Sequence, residues 1–479
     1  MEKAVASTTR ERALLPVLVF CGLITAVNGT LGAPLIPTVA QDQHVTLGTA
    51  QWMLTVTLLV GAVSTPVLGR LGDGPHRRHV MVGAMGVVLV GAAVSATAQS
   101  FPQLVVGRAL MGFTYGILPM CIAGAREHLP AAKVARGVGA LSVTGATGVG
   151  LGFPLTGLIA QYLDYHFAFW FAVVFIAPAI VAVLMVLPAD SGGAAARRKL
   201  DLIGALLLAG ALSALLLAVS DGESWGWESA RIVGLFVAAA ILFAAWAVHE
   251  LRTDGPLIDL RVLSHRAVLT ANVAALLLGA AMYVGFSVIN RLAQAPKSTG
   301  YGFGASLLVT GLVLAPLAVG SQASSRLARV AARRLGMLAV LPMGALVIAV
   351  ADFALAIEHS RLWELAVGML LLGAGVGATF AAMPALIISG VPQEETGSAT
   401  SFNQVLRSVG GAIGSALSGG ILAAYTASGR PFPSEDGYTV SFVVSAAGCL
   451  AVAVAITLVA RRLHVRARAP VEPATEGAA

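Results

Sequence analysis

Charge is scarce in this chain. Acidic and basic residues make up 11% of its 479 positions, where a soluble globular protein carries about a quarter. That scarcity excludes an ordinary water-soluble enzyme of this length. Cysteine is nearly absent: Cys21, Cys121 and Cys449 each lie inside an apolar run, with neither metal-ligand spacing nor the basis of a disulfide framework. No Gly-Lys-Ser/Thr phosphate loop occurs, which argues against ATP-driven pumping by this chain, and the nine histidines are scattered. The net charge of +7 does not gather on one stretch, so no nucleic-acid surface is indicated.

Apolar residues are what the chain has in abundance. They make up 57% of it, and the mean hydropathy is +0.85. Runs near 20 residues recur along the length, the span a bilayer asks of a helix. Splitting the chain at its charged or Gly/Pro-rich breaks gives fourteen candidate helices, the first over 14–37 and the last over 439–460. The chain therefore reads as an all-α polytopic membrane protein without a large soluble domain. Its start (Lys3, Arg10, Arg12, then apolar from Leu14) imitates a signal peptide. It lacks a polar cleavage region, so it is expected to stay as the first span. Of the 30 basic residues, 23 fall on one set of alternating segments and five (Arg231, Arg291, Lys297, Arg361, Arg430) on the other. The positive-inside rule then puts both termini in the cytoplasm. The longest connections include 189–200 and the tail 461–479, which with Pro470 and Pro473 reads as disordered.

One loop breaks the apolar pattern with a tight, charged hairpin: Gly69-Arg70-Leu71-Gly72-Asp73-Gly74-Pro75-His76-Arg77-Arg78. Glycine permits the turn and Pro75 stops a helix from running through it. A degraded copy lies 256 residues later, where Arg70, Leu71, Arg77, Arg78 and Met81 recur as Arg326, Leu327, Arg333, Arg334 and Met337. The acid does not recur, because Arg329 stands at the position of Asp73. The repeat goes further. Gly107, Gly112 and Gly116 recur as Gly368, Gly373 and Gly377, and Gly148, Gly152 and Gly157 as Gly410, Gly414 and Gly419. The implied architecture is two six-helix bundles, 14–188 and 267–460, with two additional central helices over 201–250 between them. Repeated halves around a midplane site are the build of a secondary transporter.

These residues resemble the major facilitator superfamily, in its fourteen-helix drug:proton antiporter branch. Gly69, Leu71, Asp73, Arg77 and Arg78 fit the family's loop signature after the second helix, with His76 replacing its second glycine. Arg108 and Gly112 meet the fourth-helix signature. Gly148, Gly152 and Gly157 match the antiporter signature of the fifth helix, with Pro154 displaced by one position and Thr156 in place of a glycine. Asn28 stands where the first-helix signature begins with an acid. Gln51-Trp52 and the run from Glu395 through Asn403, Arg407 and Gly410 also look like this branch. The resemblance implies the major-facilitator fold and a transporter, not an enzyme. It would export small amphiphilic molecules of drug or antibiotic type in exchange for protons, by alternating access. It also implies a monomer in the cell membrane, its partners a small-molecule substrate, protons and the lipid bilayer, with no cofactor beyond the proton gradient.

Candidate roles follow. Gly69, Asp73, Arg77 and Arg78 resemble a latch between the halves, the alternative being a solvated turn worth at most about 1 kcal/mol. The glycines of the fifth span let another backbone approach, for packing alone or for rocking, and Pro154 should bend that helix. Asn28, Trp52, Tyr115, Asn272, Tyr283, Asn290, Asn403, Gln404 and Arg407 are candidates for a substrate cavity, or else for helix–helix hydrogen bonds. Arg108, with Gly112, is the coupling candidate. An arginine at the bilayer centre costs about 2.5–3.5 kcal/mol on insertion scales, so either it snorkels outward or it holds a network in the cavity, for instance with Asn28. None of the 23 acids reads as mid-span: Asp221 and Asp352 lie near outer ends, Asp201 near an inner one. Uptake or facilitated diffusion therefore remains open, as does a non-transport membrane subunit or enzyme.

Overall fold

Backbone amides in hydrocarbon have no water to bond, so each apolar run must close its hydrogen bonds within itself. The computed structural model describes residues 2–467 apart from 46, 75, 189–199, 428, 429 and 431, and holds no β-strand among the described residues. Among the described residues, fourteen helices are long and apolar enough to cross a membrane. The first six are α1 (Arg12–Thr30), α2 (Thr49–Gly72), α3 (Arg77–Ala96), α4 (Phe101–His128), α5 (Ala131–Ile159) and α6 (His166–Val186). The central pair is α7 (Leu202–Gly222) and α8 (Ala230–Arg252). The rest are α9 (Arg266–Gln294), α10 (Leu307–Leu335), α11 (Met337–Ile357), α12 (Leu362–Gly390), α13 (Gln393–Ala424) and α14 (Glu435–Leu458).

Three stretches depart from the sequence reading. The first span ends at Thr30, short of residue 37, because Gly32 takes a left-handed φ of +126°. A 3-10 turn (Ala33–Leu35) and a short helix (Ile36–Asp42) follow it. α4 is two α-helical pieces, Phe101–Met111 and Ile117–His128, joined by a 3-10 turn over Gly112–Gly116. The last helix runs on to Ala467, so the first residues of the expected tail are helical. Pro470 and Pro473, and the loop 189–200 except Leu200, lie outside the described residues.

Two apolar cores form. One unites Leu18, Met85, Met111, Leu141 and Phe169 from α1 and α3–α6. The other unites Leu278, Val313, Ile348, Leu372, Val409 and Phe442 from α9–α14, and takes in Leu208, Leu212 and Trp246 of the central pair. α7 lies against α2 and α13, with α8 packed outside it. Between the two cores α2 and α4 meet α13, and α5 meets α10 and α12. Large apolar side chains left on the surface, such as Val174, Leu206, Ile241, Leu327 and Phe353, face outward, as a helix in lipid requires.

Candidate functional site

The hairpin after α2 touches the other half. Asp73 accepts two backbone hydrogen bonds from the first turn of α13, Oδ1 from Gly397 N at 2.6 Å and Oδ2 from Ser398 N at 2.7 Å. A carboxylate there satisfies amides that the helix itself cannot, and meets the positive end of its dipole. Burial raises the Asp73 carboxyl to about 6, while Ser398, Gly397 and Arg77 pull it down. Glycine makes the approach possible: a Cβ on Gly69 would fall 2.8 Å from the Gly397 carbonyl oxygen, and one on Gly397 equally close to that of Gly69.

Arg77 and Arg78 serve within their own half. Arg77 pairs with Glu127 at the end of α4 and donates to the Gly72 carbonyl at 2.6 Å, and Arg78 donates to the Leu184 carbonyl of α6 at 2.6 Å. Arg126, which the sequence reading did not single out, crosses between the halves. Its guanidinium donates to the carbonyls of Ile388 (3.0 Å), Val391 (3.1 Å) and Pro392 (3.2 Å), where α12 ends, and to Thr396 Oγ1. An acid at the start of α13 and a cation at the end of α12 each oppose the local helix dipole.

Deeper in the fold lies a second group of polar side chains. Arg108 is 0% exposed, so it does not snorkel. Its Nε donates to the Met53 carbonyl of α2 at 3.2 Å, and its guanidinium carbon sits 5.9 Å from the Phe169 ring centre. Thr57 donates to the Arg108 carbonyl at 3.0 Å. No Arg108–Asn28 bond forms; the buried Asn28 amide nitrogen and Arg108 Nη2 each lack a hydrogen-bond partner among the described residues. Seven residues on, Tyr115 reaches the interface, within electrostatic range of Arg108 on its own side and of Tyr283 of α9 across it. Tyr283 pairs in the same way with Arg407 of α13, whose guanidinium carbon lies 4.3 Å over the Phe380 ring of α12. Phe153 of α5 meets Phe286 of α9 edge-on at 4.9 Å. Tyr115, Tyr283, Gln404 and Arg407 are partly exposed, so this centre is aromatic-walled with a few polar points, the chemistry of an amphiphile site.

Several cavity candidates go elsewhere. Asn403 is buried and donates to Ala271 O at 3.1 Å and Asn272 Oδ1 at 3.0 Å, which ties α13 to α9. Asn290 accepts from Gln294 at 3.0 Å near the end of α9. Trp52 is 37% exposed near the start of α2. In each case a residue on an apolar helix points toward a neighbour or the membrane boundary, and sequence position alone does not set that rotation.

The glycines of α5 divide between two faces. Positions for Cβ on Gly148 and Gly152 meet Val27 N at 2.9 Å and Val27 O at 3.5 Å of α1. Those on Gly150 and Gly157 meet Ala318 N and Leu307 O of α10, each at 2.9 Å, in the other half. Pro154 packs against Gly311 of α10, and the helix runs unbroken through it. The matching Gly410 and Gly414 of α13 pack on α9, while Gly112 packs on α2 as Gly373 does on α10.

A separate cavity of about 610 Å³ opens at the hairpin end, lined by Arg70, Asp201, Asp254, Asp259, Arg261 and Glu395. Its rim is a polar weld. His249 bonds Asp201 at 2.9 Å, and buried Glu250 accepts from Trp246 Nε1 at 2.8 Å and Ile258 N at 3.3 Å. So charged a lining does not suit an amphiphile.

The family model described as Major Facilitator Superfamily matches residues 18–331 and again 275–478. Among curated proteins, an uncharacterized MFS-type transporter of Mycobacterium tuberculosis is 29% identical over 423 residues, 87% of this chain. The match spans 60% of that relative's length. The tetracenomycin C resistance and export protein of Streptomyces glaucescens is 28% identical over 421 residues, 86% of this chain and 76% of that protein. Among solved structures, the human organic anion transporter aligns with a TM-score of 0.66 at 16% identity, over 93% of this chain and 99% of that one.

Proposed function

The chain belongs to the major facilitator superfamily, and from that premise we propose that it exports small amphiphilic molecules in exchange for protons by alternating access. The observation that carries the reading is the Asp73 carboxylate on the Gly397 and Ser398 amides. It joins the two bundles at the hairpin end, a contact that must break when they rock apart there. The aromatic centre between the bundles, with Tyr115, Tyr283 and Arg407, is the substrate site, and the likeness to the tetracenomycin C resistance and export protein supports drug or antibiotic chemistry. The bundles are 14–188 and 267–460, with 201–250 as an insertion. The protein sits in the cell membrane as a monomer with the hairpin end and both termini cytoplasmic. The proton gradient alone drives it.

Uptake or facilitated diffusion draws its support from the want of an intramembrane acid. Asp352, near the end of α11, is 0% exposed, and so weakens that ground. The test is a pump-deficient bacterial host expressing the chain and grown across a panel of lipophilic toxic compounds. Resistance to some of them is expected, with efflux that stops when a protonophore discharges the gradient. Greater sensitivity, or efflux indifferent to the gradient, would contradict the proposal.

A further inference from the structure

Asp352 stands five residues before the end of α11, on the side away from the Asp73 hairpin, or about 7–8 Å in from that end. It is wholly buried, with no cation beside it among the described residues. Oδ2 lies 2.5 Å from Ser445 Oγ of α14, and Oδ1 has no hydrogen-bond partner. Gly285 of α9 leaves room for it, since a Cβ there would fall 3.1 Å from Oδ1. A buried carboxylate half without donors is costly, and a neutral carboxyl is not.

The hydrogen bonds read equally well in two directions. Ser445 Oγ is also 3.3 Å from the Ala281 carbonyl of α9. When Asp352 is ionised, Ser445 donates to it. When Asp352 is protonated, the carboxyl donates to Ser445 Oγ, and Ser445 turns its own hydrogen to Ala281. Both protonation states are thereby provided for, as a group that exchanges protons requires and a fixed structural acid does not.

A graded series leads outward from it. Glu435 on α14 has a side chain 58% exposed, and its Oε1 lies 3.6 Å from Nε2 of the nearly buried His359. The His359 ring is 6.0 Å from that of Phe442, which is fully buried one turn from Ser445. The other titratable and charged groups on the surrounding helices are Asp436, Tyr438 and Cys449 on α14, Arg266, Tyr283 and Arg291 on α9, Glu364 at the start of α12, and Arg326, Arg329, Arg333 and Arg334 toward the hairpin end of α10. Tyr283 is engaged with Arg407, Arg291 acts on Tyr438, and Glu364 bonds the Arg361 amide at 2.8 Å. Of these, Cys449 lies within electrostatic range of the carboxyl.

We propose that Asp352 is a proton-exchange site of the second half, loaded past Glu435 and His359 from the end opposite Asp73. The proposal rests on the antiport reading. With the Asp73 end closed, a hydronium ion from the other side gives its proton to the Asp352 carboxylate and leaves as water. After the halves rock, the carboxyl returns the proton to water at the hairpin end.

The experiment is a pH-difference infrared spectrum of the full chain in phosphatidylcholine vesicles, which needs no known substrate. A protonated-carboxyl C=O band should appear and vanish with pH in the wild type and be absent from Asp352→Asn. Ser445→Ala keeps the carboxyl and should shift the band, because the protonated carboxyl then loses the acceptor of its O–H. His359→Ala should keep the band and slow its response to a pH jump. Identical difference spectra for wild type and Asp352→Asn would overturn the proposal, as would a band indifferent to Ser445→Ala. In the same vesicles, with ethidium as probe and an imposed pH gradient, Asp352→Asn should lose uphill movement and keep ethidium exchange; uphill movement retained would also overturn it. The antiport reading fails differently: the wild-type band is present, yet ethidium ignores the gradient.

Discussion

At residues 69–78 the first half turns back on itself with Asp73 against the start of α13, while at 325–337 the second half does so with Arg329 beside α5. Asp73 takes up two amides of its neighbour's first turn. Arg329 Nη1 instead lies 3.6 Å from where Gly139 would carry a Cβ, within reach of the like charges of Arg136, Arg326 and Arg333. A guanidinium has no acceptor for helix amides, and a cation is disfavoured toward a helix N-terminus. A duplicated hairpin thus makes a closing contact on one side and a repulsive, looser one on the other. Arg108 and Met369, which occupy matching places in α4 and α12, show the same divergence inside the bundles: both are fully buried, and one carries a charge.

The largest effect should come from that inner pair. Arg108→Ala is expected to abolish gradient-driven efflux at normal expression and Arg108→Lys to recover little, since a lysine cannot keep the planar fork. Met369→Leu should keep most of the activity. Near-normal efflux from Arg108→Leu would erase the distinction. Asp73→Asn comes next. It turns a carboxamide NH2 toward one backbone N–H and removes a charge-assisted bond worth about 1.5–3 kcal/mol, so transport should fall about tenfold or more. Arg329→Gln should cost little; equal, small effects would reduce both hairpins to surface turns.

Glycine offers a finer comparison. Gly397→Ala sets a methyl against the Gly69 carbonyl and the Asp73 carboxylate and should slow transport several-fold. Gly139→Ala meets only the Arg329 tip at ordinary contact distance and should pass unnoticed in the same efflux assay. The smallest effect is on pH. Asp73 rises to about 6 in the closed arrangement from an ordinary 3.8, so between those pH values closing takes up a proton, and above them it does not. The closed arrangement should gain on the open one as pH falls from about 6 toward 3.8, and lose that gain as pH rises through 6. Cross-linking across the hairpin end at pH 7.5 and pH 5 would measure it, and Asp73→Asn should be flat.

Much of this was legible in the chain and some could not be. Fourteen spans follow from run length, and the hairpins and paired glycines from self-similarity, because both are local signals. The rotation of each helix is not local. Lipid and protein interior are equally apolar, so periodicity does not say which face of α13 turns Asn403 to α9 and which turns Arg407 to the centre. Arg126 was missed because it lies among ordinary loop charges; its partners at the end of α12 are more than 260 residues away. The burial of Asp352 depends on Gly285 and Ser445 arriving from two other helices. Its place near the end of an apolar run suggested a residue at the boundary.

The central claim is that Asp73, and not its mirror Arg329, makes a closing contact between the halves. Paired spin labels at Leu71 and Glu394, with a second pair at Leu327 and Lys133, would measure both ends of that comparison in lipid. In the wild type the first pair should give one short distance. Asp73→Asn should add a longer population there and leave the second pair unchanged. A first-pair distribution that Asp73→Asn does not alter would contradict the account.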